Sequence, residues 1–158
     1  MKTISQDSQF IAFQLHDKEY AIPISLVRSI EREQVITRVP HTPDFIEGII
    51  HLRGEIIPVI DLNKRLDLPM QNTTQRRIIL LSLEEEKIGV LVDAANDVIN
   101  VPISSIEAPH IILGDSISNW ITGIALVGSR VITLLNLEAL LLSDMTQHRN
   151  EGSNYVLY

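Results

Sequence analysis

The chain has 158 residues, which is enough for one ordinary domain or two very small ones that share a core. Apolar residues make up 45% and charged residues 21%, a normal globular balance, while the net charge of -7 would repel a nucleic-acid backbone. The chain contains no cysteine, which excludes a disulfide scaffold, thiolate metal sites and thiol catalysis. It shows neither a signal peptide nor an apolar run near the ~18–20 residues that span a bilayer, so we expect a cytoplasmic protein.

The first part of the chain predicts a β-hairpin followed by a short helix. Two apolar runs, Phe10–Leu15 and Glu19–Ile24, enclose a polar turn at His16 to Lys18. Ser25 is suited to capping a short helix that would place Val27 and Ile30 one turn apart on its surface. Val35–Val39 is predicted to be a further strand.

The stretch Gly48 to Leu62 predicts a buried hairpin at the centre of the chain. Runs rich in β-branched residues flank the dipeptide Arg53-Gly54, which places Arg53 at a turn tip with its guanidinium pointing outward. Pro58 cannot donate a ladder hydrogen bond, so its side of the strand is expected to be an edge where another protein could add on. Asp61 is placed to cap a helical turn that begins at Asn63.

The second half predicts two more hairpins and a final short helix. Arg76–Leu83 pairs with Lys87–Val92, and Val98–Pro102 continues as a strand. The segment Glu107–Asn119 is predicted to be a long loop. A last hairpin, Trp120–Leu126 with Arg130–Leu135, turns at Gly128-Ser129, and Asn136 caps a Leu-rich helix that ends at Leu142.

Nine or ten short strands are too many for one small barrel. Two five-stranded barrels packed together fit the length, but periodicity alone does not separate this architecture from a single sandwich.

The central motif resembles that of the CheW family of bacterial chemotaxis coupling proteins. It reads His51-Leu52-Arg53-Gly54, followed by Ile56, Pro58, Asp61 and Leu62. Further matches in the same order include Tyr20 to Ile22, Thr42-Pro43, Gly89 to Asp93 and Thr122-Gly123. The resemblance implies an all-β fold of two packed five-stranded SH3-like barrels in a single CheW-like domain over 10–142, between a flexible N-terminus, 1–9, and a partly disordered tail, 143–158.

Catalytic chemistry is not indicated anywhere in the chain. The five histidines are scattered without metal-ligand spacing. Asp93 and Asp97 lie four apart, but between two strands they are interpreted as Asx turns and not as an acid–base pair. No nucleophile–base pair or phosphate-cradling glycine loop is present, so we expect neither an enzyme nor a cofactor.

The resemblance implies an adaptor with two protein partners. One is the cytoplasmic tip of a membrane-anchored chemoreceptor, bound through Val27, Ile30, Gly48, Arg53 and Gly54. The other is the regulatory domain of a CheA-type histidine kinase, bound through Asp93, Ala95, Asp97 and Val98. The protein would thus be recruited to membrane-associated receptor arrays without entering the membrane and without binding nucleic acid.

Two departures from the family pattern leave the pathway open. His51 replaces the usual Asn, and Glu55 stands where an apolar residue is common and could pair with Arg53. The protein could therefore serve another chemosensory-like pathway such as twitching motility. Residue chemistry also leaves open a small-ligand barrel with Asn96 and Thr122 in its seam, whereas a nucleic-acid-binding barrel is opposed by the charge and the 4% aromatic content.

Overall fold

The computed structural model describes residues 7–69, 73–109 and 120–142, and these residues form two β-sheets. The six-stranded sheet contains β1 (Asp7–Leu15), β2 (Lys18–Pro23), β8 (Ala94–Pro102), β9 (Ile106–Glu107), β10 (Ile121–Val127) and β11 (Arg130–Leu135). The five-stranded sheet contains β3 (Val27–Arg32), β4 (Ile46–Leu52), β5 (Glu55–Asp61), β6 (Arg77–Leu83) and β7 (Glu86–Val92). One sheet therefore has a strand more than predicted.

The chain crosses twice between the two sheets. The six-stranded sheet has the order β8-β1-β2-β11-β10-β9, and the five-stranded sheet has the order β3-β6-β7-β5-β4. Parallel pairing occurs between β2 and β11 and between β5 and β7, while the other pairs are antiparallel. The first sheet thus holds both ends of the described chain, and the second is built from the segment between them. We call them the terminal barrel and the central barrel.

Three apolar clusters hold the molecule together. One lies within each barrel: Phe10, Ile99 and Ile132 belong to the cluster of the terminal barrel, and Ile57 and Leu80 to that of the central barrel. The third cluster takes side chains from both sheets and from the segment after β11, including Phe13, Leu15, Ile22, Leu81, Val90 and Leu137. Because most of these side chains are fully buried, the two barrels share one continuous core and bury apolar area in common.

Short helices occupy the connections between strands. The helix α1 (Leu62–Arg65) follows β5, 3₁₀ turns span Ile24–Leu26 and Ile103–Ser105, and a π-helical segment spans Glu138–Leu142. Asp61 caps α1 as predicted, because its carboxylate accepts hydrogen bonds from the backbone N–H groups of Asn63 and Lys64. The Asn136 Oδ1 atom accepts from the Ala139 N–H at 3.1 Å, which confirms the second predicted cap.

The predicted helix after Ser25 is wrong. A single 3₁₀ turn without a side-chain cap leads directly into β3, in which Val27 and Ile30 lie. The strand forms because β3 pairs with β6 from Val27 to Arg32, with Ile30 opposite Ile79 and Arg32 opposite Arg77. Tertiary pairing overrides the weak local preference for a helical turn.

One further strand prediction is wrong, and the edge predicted at Pro58 is found only locally. Within 35–39 only Thr37 forms a bridge, with Ile49 of β4, so this segment is not a strand of its own. Pro58 lies in an interior strand, but β5 pairs with β7 only from Val59 onward. The half of β5 that contains Pro58 is therefore bonded to β4 alone, and the missing N–H is tolerated there.

The outer boundaries differ in part from those predicted. Strand β1 begins at Asp7, ahead of the expected domain start, and pairs with β8 from its first residue. The predicted long loop lies outside the described residues except for its first part, where Glu107 belongs to β9. The tail 143–158 and residues 1–6 also lie outside them.

We expect Asp61→Ala to lower the free energy of unfolding by roughly 1 kcal/mol, the usual cost of losing a helix N-cap. Asp61→Asn should cost much less, because its amide oxygen can still accept the two N–H bonds. Burial already raises the pKa of Asp61, so the ionised form adds no stability that the amide lacks. Urea unfolding of both variants at pH 7 measures the difference, and equal losses would show that the charge matters and not the cap.

Candidate docking surfaces

Arg53 lies at the tip of the β4–β5 hairpin, as the sequence predicts. The two-residue turn joins Leu52 to Glu55, and Arg53 and Gly54 have φ values of 51° and 83°. Positive φ at both central positions is typical of the tight turn that matches the twist of a hairpin. An added Cβ at Gly54 would meet no atom within 4 Å, so the space beside Arg53 is open.

The Arg53 guanidinium makes one long ion-pair contact with β3. Its Nη2 atom lies 3.4 Å from Glu31 Oε2, and the Arg53 side chain is 71% exposed. The same Glu31 oxygen accepts a hydrogen bond of 2.8 Å from the hydroxyl of Ser29. A long, exposed ion pair contributes little to stability, so a partner can take up this cation at small cost.

Val27 and Ile30 do not form a helix face. Val27 is half-buried and packs against the shared core, whereas Ile30 is 41% exposed. A bulge between Val27 and Ser29 shifts the register of β3 against β6. Of the two apolar residues predicted to bind the receptor, Ile30 is the more accessible one.

Gly48 has a structural reason for its place in the sequence. It is buried, its φ is 149°, and an added Cβ would lie 2.2 Å from the carbonyl oxygen of Thr37. The absence of a side chain lets Thr37 approach and exchange two backbone hydrogen bonds with Ile49, at 2.8 and 2.9 Å. Gly48 thus allows Thr37 to bond to β4 of the central barrel, and it offers no side chain to a partner.

A groove of about 850 Å³ separates β3 from the β4–β5 hairpin, and we call it the hairpin groove. It exists because the first half of β5 is not bonded to β7. Its apolar lining is formed by Val27, Leu52, Ile57 and Leu80. The groove therefore joins Val27 and Arg53, two of the residues predicted to bind the receptor.

Glu55 does not form the pair with Arg53 that the sequence had left open. Both of its carboxylate oxygens accept from the Nζ atom of Lys87 on β7, at 2.7 and 2.8 Å. Lys87 and Arg28 also line the hairpin groove, and sequence reasoning missed both. No local signal identifies them, because residues 28, 53 and 87 meet only through strand pairing.

Asp93 is buried at the junction of the two barrels, where its side chain is bonded to both. Its Oδ2 atom accepts from the backbone N–H of His16 at 2.6 Å, in the β1–β2 turn of the terminal barrel. Its Oδ1 atom accepts from the Asn63 amide at 2.9 Å, in α1 of the central barrel. The predicted Asx turn is wrong here, since both oxygens are used by residues far away in the sequence.

Asp97 lies inside β8 and not in a turn, because it pairs in register with Ala12 of β1. Its carboxylate accepts from Arg130 of β11 at 3.0 and 3.3 Å, and Arg130 also binds both oxygens of Glu19 on β2, at 2.7 and 2.9 Å. Asn96 donates to Glu19 as well, at 2.8 Å. This network ties three strands of the terminal barrel together and neutralises Asp97.

The accessible part of the predicted kinase surface is Val98 with its neighbour Ala95. Val98 is 50% exposed on β8, the outer strand of the six-stranded sheet, and Ala95 is half-buried. On the β10–β11 hairpin, Leu126 and Val131 stand directly opposite each other and are 51% and 60% exposed. Sequence reasoning did not select this second apolar pair, because both residues stand in continuous apolar runs with no alternation that marks an exposed face.

The described residues show no arrangement for metal binding or for a ligand in the seam. No group of three or more His, Asp or Glu side chains could hold a metal ion within this part of the chain. Asn96 and Thr122, the polar residues proposed for a seam ligand, are exposed, and Thr122 bonds the Leu134 carbonyl. Within the same residues, no helix is long and apolar enough to cross a membrane.

Comparison with known proteins gives consistent matches over most of the chain. A family model described as CheW-like domain matches residues 9–145. Chemotaxis protein CheW of Bacillus subtilis is 46% identical over 106 residues, which cover 66% of this chain and 68% of that protein. A probable chemotaxis protein CheW of Rhizobium etli is 35% identical over 142 residues, covering 89% and 92%. The crystal structure of the scaffolding protein TtCheW from Thermoanaerobacter tengcongensis superposes with a TM-score of 0.77 at 36% identity, covering 84% and 91%.

The Glu19–Arg130 network predicts a defined loss of stability in acid. Hydrogen bonds from Arg130 and Asn96 hold the pKa of Glu19 below its ordinary value of 4.5. A carboxylate with a lowered folded-state pKa stabilises the fold above its unfolded pKa, and this contribution disappears as the pH falls through the folded value. Glu19→Gln should therefore be less stable than the unsubstituted chain at pH 7, and the difference should begin to shrink near pH 4.5 and disappear as the pH falls through the lower pKa of the folded state. Thermal unfolding at a series of pH values measures this, and a constant difference down to pH 3 would contradict it.

Proposed function

The chain belongs to the family of proteins with a CheW-like domain, and on that basis we propose that it bridges a chemoreceptor and a histidine kinase. As a member of this family it is a chemotaxis scaffold and not an enzyme. Its proposed partners are the cytoplasmic tip of a methyl-accepting chemoreceptor and the regulatory domain of a CheA-type kinase. Docking to the receptor would bring it to membrane-associated arrays.

The observation that supports a bridging role is the separation of two accessible surfaces on two barrels. The receptor surface, made of Ile30, Arg53 and the hairpin groove, lies on the central barrel. The kinase surface, made of Ala95 and Val98, lies on the terminal barrel. An adaptor that holds two partners at once raises their effective concentration, provided that its sites do not overlap.

Rigidity between the barrels supports the same proposal. The shared apolar core and the Asp93 hydrogen bonds join the two barrels, so both surfaces have a fixed relative orientation. Fixed geometry lowers the entropy that the assembly loses when the second partner binds. Gly48 and Asp93 act in this proposal through the shape of the scaffold, and the other predicted residues act through contact.

The bridging proposal is tested with the purified receptor cytoplasmic fragment and the purified kinase regulatory domain. Each should bind the chain alone, and saturation with one should not displace the other. Mutual displacement in a competition experiment would show a single overlapping site and would end the bridging mechanism.

Arg53→Ala should leave the free energy of unfolding within ~0.5 kcal/mol of the unsubstituted chain, because the side chain is exposed and its ion pair is long. Binding of the receptor fragment should fall sharply while kinase binding persists. Arg38→Ala, an exposed arginine outside the hairpin groove, is the matched control. If Arg53→Ala unfolds the protein, the residue is structural and its docking role is refuted.

The two surfaces should respond to substitution independently. We expect Ile30→Glu to weaken the receptor complex at least tenfold, about 1.4 kcal/mol, and to spare the kinase complex. Val98→Glu should do the reverse, because both side chains are exposed on different barrels and neither supports the shared core. Calorimetry with each partner measures both affinities, and equal effects on the two partners would contradict separate sites.

A further inference from the structure

The hairpins β4–β5 and β10–β11 share one design. Segments 45–63 and 120–138 align without a gap. A bulge interrupts each hairpin ahead of a glycine, Gly48 or Gly123, and this glycine leaves room for a neighbouring backbone carbonyl. The aligned pairs that are identical are Ile46 and Ile121, Gly48 and Gly123, Ile49 and Ile124, Ile57 and Ile132, and Leu62 and Leu137. Each barrel therefore contains a hairpin that matches one in the other barrel.

The two hairpins also pair with their partner strands in the same register. In the terminal barrel, Leu134 of β11 lies opposite Ala21 of β2. In the central barrel, Val59 of β5 lies opposite Gly89 of β7, and Val59 is the residue that aligns with Leu134. Both of these strand pairs are parallel. Backbone pairing is therefore the same for both hairpins and does not distinguish one from the other.

Charge distinguishes the two hairpins. At one aligned position, β5 carries Glu55 and β11 carries Arg130. Glu55 accepts from the ammonium group of Lys87 on β7, at 2.7 and 2.8 Å. Arg130 instead donates to Glu19 on β2, at 2.7 and 2.9 Å, and to Asp97 on β8, at 3.0 Å. The central barrel thus joins an acidic hairpin to a basic strand, whereas the terminal barrel joins a basic hairpin to acidic strands.

The connections in the chain allow the two hairpins to exchange places during folding. Residues 33–45 and 62–76 connect β4–β5 to β3 and β6, and residues 108–120 lead into β10. Each connection is longer than ten residues, and the entropic cost of closing such a loop depends only weakly on its length. Because apolar residues occupy most of the same aligned positions, burial alone selects weakly between the two arrangements. Wrong assembly of similar units is a characteristic folding error of repeat proteins.

We propose that these opposite charges direct each hairpin to its own barrel during folding. After an exchange, Glu55 would lie beside the carboxylates of Glu19 and Asp97. Arg130 would lie beside the ammonium group of Lys87. Like charges on adjacent strands repel, so the attractions of the native arrangement would be replaced by repulsions. Exposed pairs add little to stability by themselves, but the difference between attraction and repulsion selects between arrangements of similar burial.

The test reverses the charges of the central pair while keeping the pair complementary. The reversed variant carries Glu55→Lys with Lys87→Glu, and the control carries Glu55→Gln with Lys87→Gln. In the reversed variant both hairpins are basic and both partner strands are acidic, so charge no longer favours the native arrangement. In the control, the pair of Arg130 with Glu19 still favours it. The reversed variant should therefore place its hairpins less accurately than the control, although it retains an ion pair that the control lacks.

A disulfide that forms only after an exchange measures this accuracy. The chain contains no cysteine, so Val131→Cys with Glu86→Cys supplies the only thiols. These exposed positions belong to different barrels, but the shared register places them side by side after an exchange. Each chain is refolded from urea in oxidising buffer, and the cross-linked monomer is quantified by electrophoresis. Its fraction should be lowest with the native charges, intermediate in the control and about threefold above the native-charge value in the reversed variant. Sodium chloride at about 0.5 M should reduce these differences.

Stability and rescue separate this proposal from a general loss of stability. The reversed variant should unfold at a urea concentration equal to or above that of the control, because its pair remains complementary. Adding Glu19→Lys, Arg130→Glu and Asp97→Asn to it restores opposite charges and should lower the cross-linked fraction again. Equal cross-linking in the reversed variant and the control would overturn the proposal, and so would a fraction that does not fall on rescue. No partner takes part in these measurements, so their outcome is independent of the bridging proposal.

Discussion

The Asp93 carboxylate, set in the apolar seam between the barrels, is the constraint on which the rest of this structure depends. Its two oxygens accept from opposite sides, His16 in the terminal barrel and Asn63 in the central barrel. A buried carboxylate without partners is costly, so the fold that satisfies both oxygens is favoured over other barrel orientations. Asp93 also lies between β7 and β8, where the chain crosses from the central to the terminal barrel. The covalent connection and the hydrogen-bonded connection between the barrels are therefore made at the same residue.

The incomplete pairing of β5 with β7 creates the groove of the central barrel. Strand β5 pairs with β7 only beyond Pro58, so its first half is bonded to β4 alone and lies apart from β7. The resulting groove is lined by both apolar and charged side chains of the central barrel. On the other side of the hairpin, Gly48 allows Thr37 to approach β4 and bond to Ile49.

A scaffold of this kind needs stable geometry more than chemistry. The terminal barrel is reinforced at its surface by the Arg130 network, which holds β2, β8 and β11 together next to Val98. The central barrel instead carries loose, exposed ion pairs at its groove. Ion pairs therefore order the two halves to different degrees, since multidentate pairs hold strands together more firmly than isolated exposed pairs do.

Local features of this protein were determined by the sequence itself. The hairpin turns, the exposed position of Arg53 and the caps provided by Asp61 and Asn136 depend on residues close together in the chain, and all were predicted correctly. The strand character of Val27 to Arg32, the burial of Asp93, the Lys87 partner of Glu55 and the convergence of Arg28, Arg53 and Lys87 were decided only by the tertiary structure. Each depends on which strands lie side by side, and strand pairing is set by the burial of side chains distant in sequence, for which local propensity and spacing carry no information.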